Sequence, residues 1–253
     1  MTSYFLGVAM QKIQGKVRKA LEDYDMIQDG DRVLLGISGG KDSLTLLECM
    51  ASLRHYFPKK FEVVAVTIDM FDGKSDFSKI AKMCADLNVQ YEVINSQIYQ
   101  ILFEIRKEKN PCSLCTRMRR GILAECAKKF NCNKIALGHH ANDLVETFFL
   151  SMFYESRLAT FKPVTFWDKT RLTVIRPLLL VWEKETKANA KHLPVFENPC
   201  PADKNTQREY IKQLLNDIAP NIHQVHEHIL SALTHPERNR LFAVSAKNIE
   251  EYS

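Results

Sequence analysis

A chain of 253 residues with 45% hydrophobic content can bury one large domain, or one domain with a small appendage, which excludes a disordered or fibrous protein. No run approaches the roughly 20 uninterrupted apolar residues of a membrane span, and the N-terminus lacks a basic-then-apolar signal pattern, so no membrane and a cytoplasmic location are expected. The net charge of +5 is unevenly placed: residues 1–20 carry Lys12, Lys16, Arg18 and Lys19 with no acid, and residues 101–134 carry nine bases against three acids, so these segments read as a polyanion-facing surface or as solvated helix faces.

In chain order, the first 25 residues read as a basic helix. Val33–Ile37 and Phe61–Ile68 are short, almost continuous apolar runs, the mark of strands buried on both faces of a parallel sheet; Tyr91–Ile94 and Lys134–Leu137 read as two more. Between them, Leu44, Leu47 and Met50, then Phe77, Ile80, Cys84 and Leu87, recur every three or four residues, as on one face of a helix. Strands alternating with helices predict an α/β fold with a doubly wound, mostly parallel sheet. Leu114, Met118, Ile122, Cys126 and Phe130 mark a further helix that opens at Cys112-x-x-Cys115. Past residue 150 the pattern loosens through Pro163, then gives a strand at Leu172–Ile175 and helices near 183–192, 204–218 and 221–233. The expected division is a basic helix (1–25), a nucleotide-binding domain carrying the Cys-x-x-Cys helix (26–180) and a helical C-terminal extension supplying Cys200 (181–253).

The run 33–37 passes straight into Ser38-Gly39-Gly40-Lys41-Asp42-Ser43 and then a helix. Paired glycines let backbone N–H groups turn toward an anion, the helix N-terminus adds its positive dipole end, and Lys41 and the serines supply more donors. Such a nest fits pyrophosphate. It is not a Walker A loop, which would need Gly at 35 and Ser or Thr at 42, where Leu35 and Asp42 stand. A turn that only joined strand to helix would have no use for Lys41 and Asp42. The hexapeptide resembles the PP-loop of the N-type ATP pyrophosphatases, which split ATP into AMP and pyrophosphate while adenylating a carbonyl oxygen. That resemblance implies that Ser38, Gly39, Gly40, Lys41, Asp42 and Ser43 hold the β- and γ-phosphates and that Asp42 helps to place Mg2+. Ile68, Asp69 and Met70 end the second strand, where an open α/β sheet receives its ligand, so their backbone is expected to frame the adenine.

Seven cysteines without a regular framework point to reduced thiols or metal ligation rather than disulfides. Cys112 and Cys115 share one face of a helix start whose dipole favours thiolate, with Asn110-Pro111 fixing the entry of the chain and Arg119 one turn further on. Cys200 lies between Pro199 and Pro201 on a polar loop and is the third candidate ligand. Cys49, Cys84 and Cys126 fall on apolar helical faces and read as packing residues, and Cys132 as a surface residue. Three thiols suit a 4Fe-4S cluster with one open iron; with His192 or His223 added they would suit zinc.

Pro111-Cys112-Ser113-Leu114-Cys115-Thr116-Arg117-Met118-Arg119-Arg120-Gly121, then Lys134 to His140, then Ile175-Arg176-Pro177-Leu178, and last Asn198-Pro199-Cys200 resemble, in order, the motifs of the tRNA 2-thiocytidine synthetase family over residues 25–220. The resemblance implies tRNA as substrate, adenylation of the C2 oxygen of an anticodon-loop cytidine, and sulfur delivered through a 4Fe-4S cluster on Cys112, Cys115 and Cys200. The chain departs from the family at His139-His140-Ala141-Asn142-Asp143, where a second aspartate is usual, and in lacking a further cysteine just after Cys200. Gly138-His139-His140 follows a strand, which sets the rings beside the nucleotide, where His139 can contact phosphate or orient the base. Asp143-x-x-Glu146 has the shape of a capping box. Arg119 is expected to neutralise charge at the reacting base, and Gln207, Arg208 and Lys212 to face RNA phosphates or solvent.

The expected reaction has two steps: the base oxygen attacks the α-phosphorus of ATP while Lys41 and Mg2+ stabilise the leaving pyrophosphate, then sulfide displaces AMP. The expected partners are tRNA and a sulfur donor such as a cysteine desulfurase or inorganic sulfide, and a homodimer is compatible with the pattern. The rival readings are a zinc-stabilised PP-loop ligase that lets an amine attack the adenylate, and an ATP-binding sensor without turnover.

Overall fold

The apolar runs form strands because continuous Val, Leu and Ile can be buried on both faces of a sheet. The computed structural model describes residues 2–108, 111–196, 199–201 and 207–238. A long helix α1 (Thr2–Asp23) leads into β1 (Asp31–Gly36), α2 (Lys41–Leu53), β2 (Phe61–Asp69), α3 (Ser78–Asp86) and β3 (Gln90–Asn95). A π-helical turn (Gln100–Ile105), α4 (Pro111–Lys129), β4 (Lys134–Ala136) and α5 (Ala141–Glu155) follow. The chain continues through β5 (Val164–Trp167), β6 (Leu172–Ile175), α6 (Glu183–Asn189), α7 (Gln207–Ile218) and α8 (Val225–Thr234).

The six strands lie in the order β3-β2-β1-β4-β6-β5, all parallel except β5. From β1 the chain winds one way through β2 and β3, then crosses to the other side for β4 and β6. The switch point where such a sheet binds ligands therefore lies between the carboxyl ends of β1 and β4. Register sets Leu34 opposite Ile135 and Leu35 opposite Ala136, so the loops leaving these strands emerge side by side. Alternate residues feed opposite layers: Val33, Leu35 and Val63 join α1, α2 and α3, while Leu34, Val64 and Ile135 join Leu123, Ala124 and Ala127 of α4. The C-terminal helices build a smaller cluster of Ile211 and Leu215 on Val145 of α5. No described helix is long and apolar enough to cross a membrane.

Four expectations are corrected. The hairpin partner β5 falls in the loosened stretch, because an antiparallel edge strand exposed on one side needs no continuous apolar run. Of the five-residue stripe on α4 only Cys126 is fully buried; the buried face turns to Leu123, Ala124 and Ala127 as the helix leans on the sheet. Cys132 is buried, not at the surface, and burial pushes its thiol up to about 11. Lys134 is no part of a polyanion-facing surface, since its ammonium is enclosed, 2.7 Å from Asp31 and donating to the Met26 carbonyl at 2.8 Å. In α1, Lys16, Arg18 and Lys19 are paired with Glu185, Glu22 and Asp23. On α4, Arg117 and Arg119 have no carboxylate partner among the described residues.

Candidate active site at the carboxyl edge of the sheet

The Ser38–Ser43 loop turns sharply at Gly39, whose φ of +86° lies in the left-handed region that glycine occupies without strain. A Cβ there would also stand 2.8 Å from Cβ of Phe196, whose N–H donates to the Gly39 carbonyl at 2.9 Å. Hydroxyls brace the loop from inside: Ser43 Oγ accepts from the Ser38 N–H (3.2 Å) and donates to the Gly40 carbonyl (2.9 Å). Gly40 caps α2 with no side chain, so the N–H groups of the first helical turn stay open to an anion. In the loop that follows β4, Gly138 presses against the Ser38–Ser43 loop. Its absent Cβ would lie 3.2 Å from Asp42 C and Ser43 N, so two motifs distant in the chain meet here.

Lys41 Nζ lies 2.9 Å from Asp42 Oδ2 and 3.2 Å from Glu183 Oε1. Burial alone would lower the lysine's pKa, but the two carboxylates reverse this and raise it, so the side chain is a fixed cation. Asp42 is bracketed by the Thr186 hydroxyl at 2.6 Å and by His140 Nε2 at 3.7 Å. A half-exposed carboxylate at an anion nest, held in place by its neighbours, has the position and charge for a Mg2+ ligand.

Burial pushes the Cys115 thiol up and Arg119 pulls it down, while Cys200 and Cys112 add to the rise, so both lie within electrostatic reach of Cys115. The expectation that the helix dipole would favour thiolate at Cys115 is overturned by burial and by these like charges. Cys112 is exposed, Cys115 and Cys200 are half-buried, and none of the three is in a disulfide. Among the described residues no three His, Cys, Asp or Glu side chains stand close enough to share one ion. A cubane makes a different demand: each thiolate takes its own iron, so the sulfurs stand apart at the corners. Three thiols, with Arg119 beside Cys115 to offset charge, have the donor chemistry for that group. His192 instead pairs with Glu48 at 3.1 Å, and His223 is exposed. Met70 adjoins the cysteine pair: its Sδ is 3.7 Å from Cys115 Sγ, and its carbonyl accepts from the Tyr99 N–H. Ile68, half-buried on the same strand, ends beside it. Asn110 and Asn198 lie outside the described residues.

His139 and His140 divide their roles. His140 is the N-cap of α5, exchanging hydrogen bonds with Asp143 at 2.9 and 3.3 Å, so the capping box is His140/Asp143 and not Asp143/Glu146. Glu146 is buried and accepts from Arg208 at 3.0 Å. His139 stacks on Phe161, ring centroids 5.2 Å apart, and its enclosed Nδ1 has no hydrogen-bond partner among the described residues. Burial pushes its pKa down to about 4, so the ring is neutral at pH 7 and meets a substrate by hydrogen bonding, not by charge. The unfolded chain titrates near 6.5, so as pH falls from about 6.5 to 4 only the unfolded state gains the proton; stability, complete above that window, is expected to drop by up to about 2–3 kcal/mol across it. A His139→Gln variant should flatten that stretch of a plot of thermal midpoint against pH, and a slope equal to wild type would clear His139 of the effect.

Comparison with known proteins decides the lineage. Residues 9–218 match the family described as PP-loop domain. The chain is 37% identical over 245 residues to the tRNA-cytidine(32) 2-sulfurtransferase of Dichelobacter nodosus, covering 95% of this chain and 92% of that one. It is 38% identical over 216 residues to the protein of that name from Mannheimia succiniciproducens, covering 84% and 69%. The chain belongs to this PP-loop family of tRNA-cytidine 2-sulfurtransferases. Its fold matches that of the U34-tRNA thiolase NcsA from Methanococcus maripaludis with its 4Fe-4S cluster, with a TM-score of 0.74 at 20% identity over 95% of this chain and 82% of that one.

In this member of the sulfurtransferase family, sequence reasoning missed Glu183, Thr186 and Phe196. An acidic first turn on α6 was the one available signal for Glu183, and it reads equally as a dipole complement. Arg176, noted in the sequence only as part of a motif, lies over the Phe161 ring, 5.0 Å from its centroid. Arg208 and Lys212 turn inward to Glu146, Asp143 and Glu183 instead of outward to phosphates, while Gln207 is exposed.

Proposed function

We propose that this chain is an ATP-dependent tRNA sulfurtransferase that replaces the C2 oxygen of an anticodon-loop cytidine, the position-32 base named for its relatives, with sulfur. The reading is supported above all by one juxtaposition: Cys112 and Cys115 at the start of α4 and Cys200 from the stretch before α7 lie within electrostatic reach, and that same stretch is tied to the Ser38–Ser43 loop through Phe196. The loop N–H groups and Lys41 hold the β- and γ-phosphates, Asp42 places Mg2+, and Gly138 keeps the neighbouring strand close enough to close the nest. The base oxygen attacks the α-phosphorus and pyrophosphate leaves, its developing charge met by Lys41. His139 orients the base as a neutral hydrogen-bonding group, and Arg119 offsets charge between base and thiols. Cys112, Cys115 and Cys200 would hold the 4Fe-4S cluster, which when bound supplies an iron open to sulfide. Sulfur then takes the place of the oxygen, which departs with AMP. The backbone at Ile68 and Met70 frames the adenine.

The enzyme works in the cytoplasm, takes sulfur from a cysteine desulfurase or inorganic sulfide, and meets tRNA through the unpaired arginines of α4. Incubation with ATP and bulk tRNA is expected to yield AMP, pyrophosphate and 2-thiocytidine by nucleoside mass spectrometry, with iron and acid-labile sulfide in anaerobically purified protein. Zinc alone with no thionucleoside would support the ligase, and ATP binding without AMP would support the sensor; either result rejects the proposal.

A further inference from the structure

Glu183 is the counter-ion of three lysines at once. Its carboxylate lies 3.2 Å from Lys41, 3.2 Å from Lys187 and 3.0 Å from Lys212, with the side chain 12% exposed. The backbone beneath it is held, since its N–H donates to Asn142 Oδ1 at 2.9 Å and its carbonyl accepts from the Thr186 hydroxyl, the same hydroxyl that donates to Asp42. Burial opposes the charge, but Lys212 and Lys41 hold the carboxyl down to about 2, so it is ionised at any working pH.

Lys41, in turn, has two of its three N–H donors engaged by Asp42 and Glu183. To turn more than one donor toward a phosphate it must let go of a carboxylate. Releasing Asp42 leaves that group to a metal, whereas releasing Glu183 would strand a half-buried anion if Lys41 were its sole partner. Lys187 and Lys212 remove that obstacle. Lys212 also ties the exchange to α7, the helix that follows the Cys200 segment and is clamped to α5 by Arg208 through Asp143, Glu146 and Thr147.

We infer that Glu183 is a displaceable counter-ion of the PP-loop lysine, a positioning residue that holds Lys41 until nucleotide arrives and yields it to the β- and γ-phosphates, with Lys212 taking over the carboxylate. The inference rests on the ATP reading above and concerns residues outside the hexapeptide. It predicts opposite signs for two substitutions. Glu183→Gln removes the competing charge and should tighten Mg–pyrophosphate binding about three- to tenfold. Lys212→Met leaves Glu183 more dependent on Lys41 and should weaken binding by a similar factor.

Calorimetric titration of the full-length chain with Mg–pyrophosphate tests this. In the double variant the Lys212 effect should vanish, because it acts through Glu183; a general field effect of Lys212 would be additive instead. Weaker or unchanged binding by Glu183→Gln, or additivity in the double variant, overturns the inference. If Glu183→Gln does not fold, Lys212→Met decides alone, and unchanged or tighter binding overturns it. Failure of the wild-type chain to bind pyrophosphate at all would instead sink the ATP reading.

Discussion

Replacing Cys200 by alanine is expected to leave ATP binding intact and to abolish thiolation. The segment that carries it does not depend on the thiol for its path. Upstream it is pinned by the Phe196 N–H on the Gly39 carbonyl and by the Phe196 ring on Phe77, with centroids 4.7 Å apart. Downstream, α7 is held by Arg208 on Glu146. A half-exposed cysteine in such a loop contributes little to folding, so the thermal midpoint should move by the equivalent of no more than about 0.5 kcal/mol. What the variant loses is a sulfur within electrostatic reach of Cys115. Two thiolates cannot retain a cluster that needs three protein corners, so iron and acid-labile sulfide per chain should fall together with 2-thiocytidine, while nucleotide affinity holds. Wild-type levels of thionucleoside in Cys200→Ala would remove this residue from the site.

Lys41→Ala is expected to lower the rate of AMP formation by about 10²- to 10³-fold, the usual consequence of removing one group that stabilises charge developing in a transition state. The ammonium is the fixed cation of the loop, and the serine hydroxyls and N–H groups that remain are neutral. The fold should survive, because Glu183 keeps Lys187 and Lys212 when Lys41 is gone. AMP and pyrophosphate release at saturating ATP with excess tRNA measures the effect, and circular dichroism checks the fold. A loss smaller than tenfold would mean that Lys41 does not meet the leaving group.

Much of the architecture was legible because it is written in local pattern. Val33–Leu35 is apolar without a break and Phe61–Ile68 almost so, and both became central strands, while Leu44, Leu47 and Met50 are buried in α2. The hexapeptide announces its turn through Gly39 and its chemistry through Lys41 and Asp42. Where burial was one-sided or the pattern served two ends, reading failed: β5 is an edge strand, and Asp143-x-x-Glu146 mimics a cap while His140 makes the real one. Cys132 looked like a surface residue beside polar neighbours, yet it packs under α4.

From the amino acids in order came the strand-loop-helix that cradles an anion, the Cys112-x-x-Cys115 pair at a helix start and the sheet's alternation, since each depends on residues within a few positions of one another. The three-dimensional arrangement alone decided that Glu183 would hold Lys41 and that Phe196 would seat on Gly39. A side chain's type states which bonds it can make, but its partner across the chain is chosen by the packing of the whole sheet and its helices.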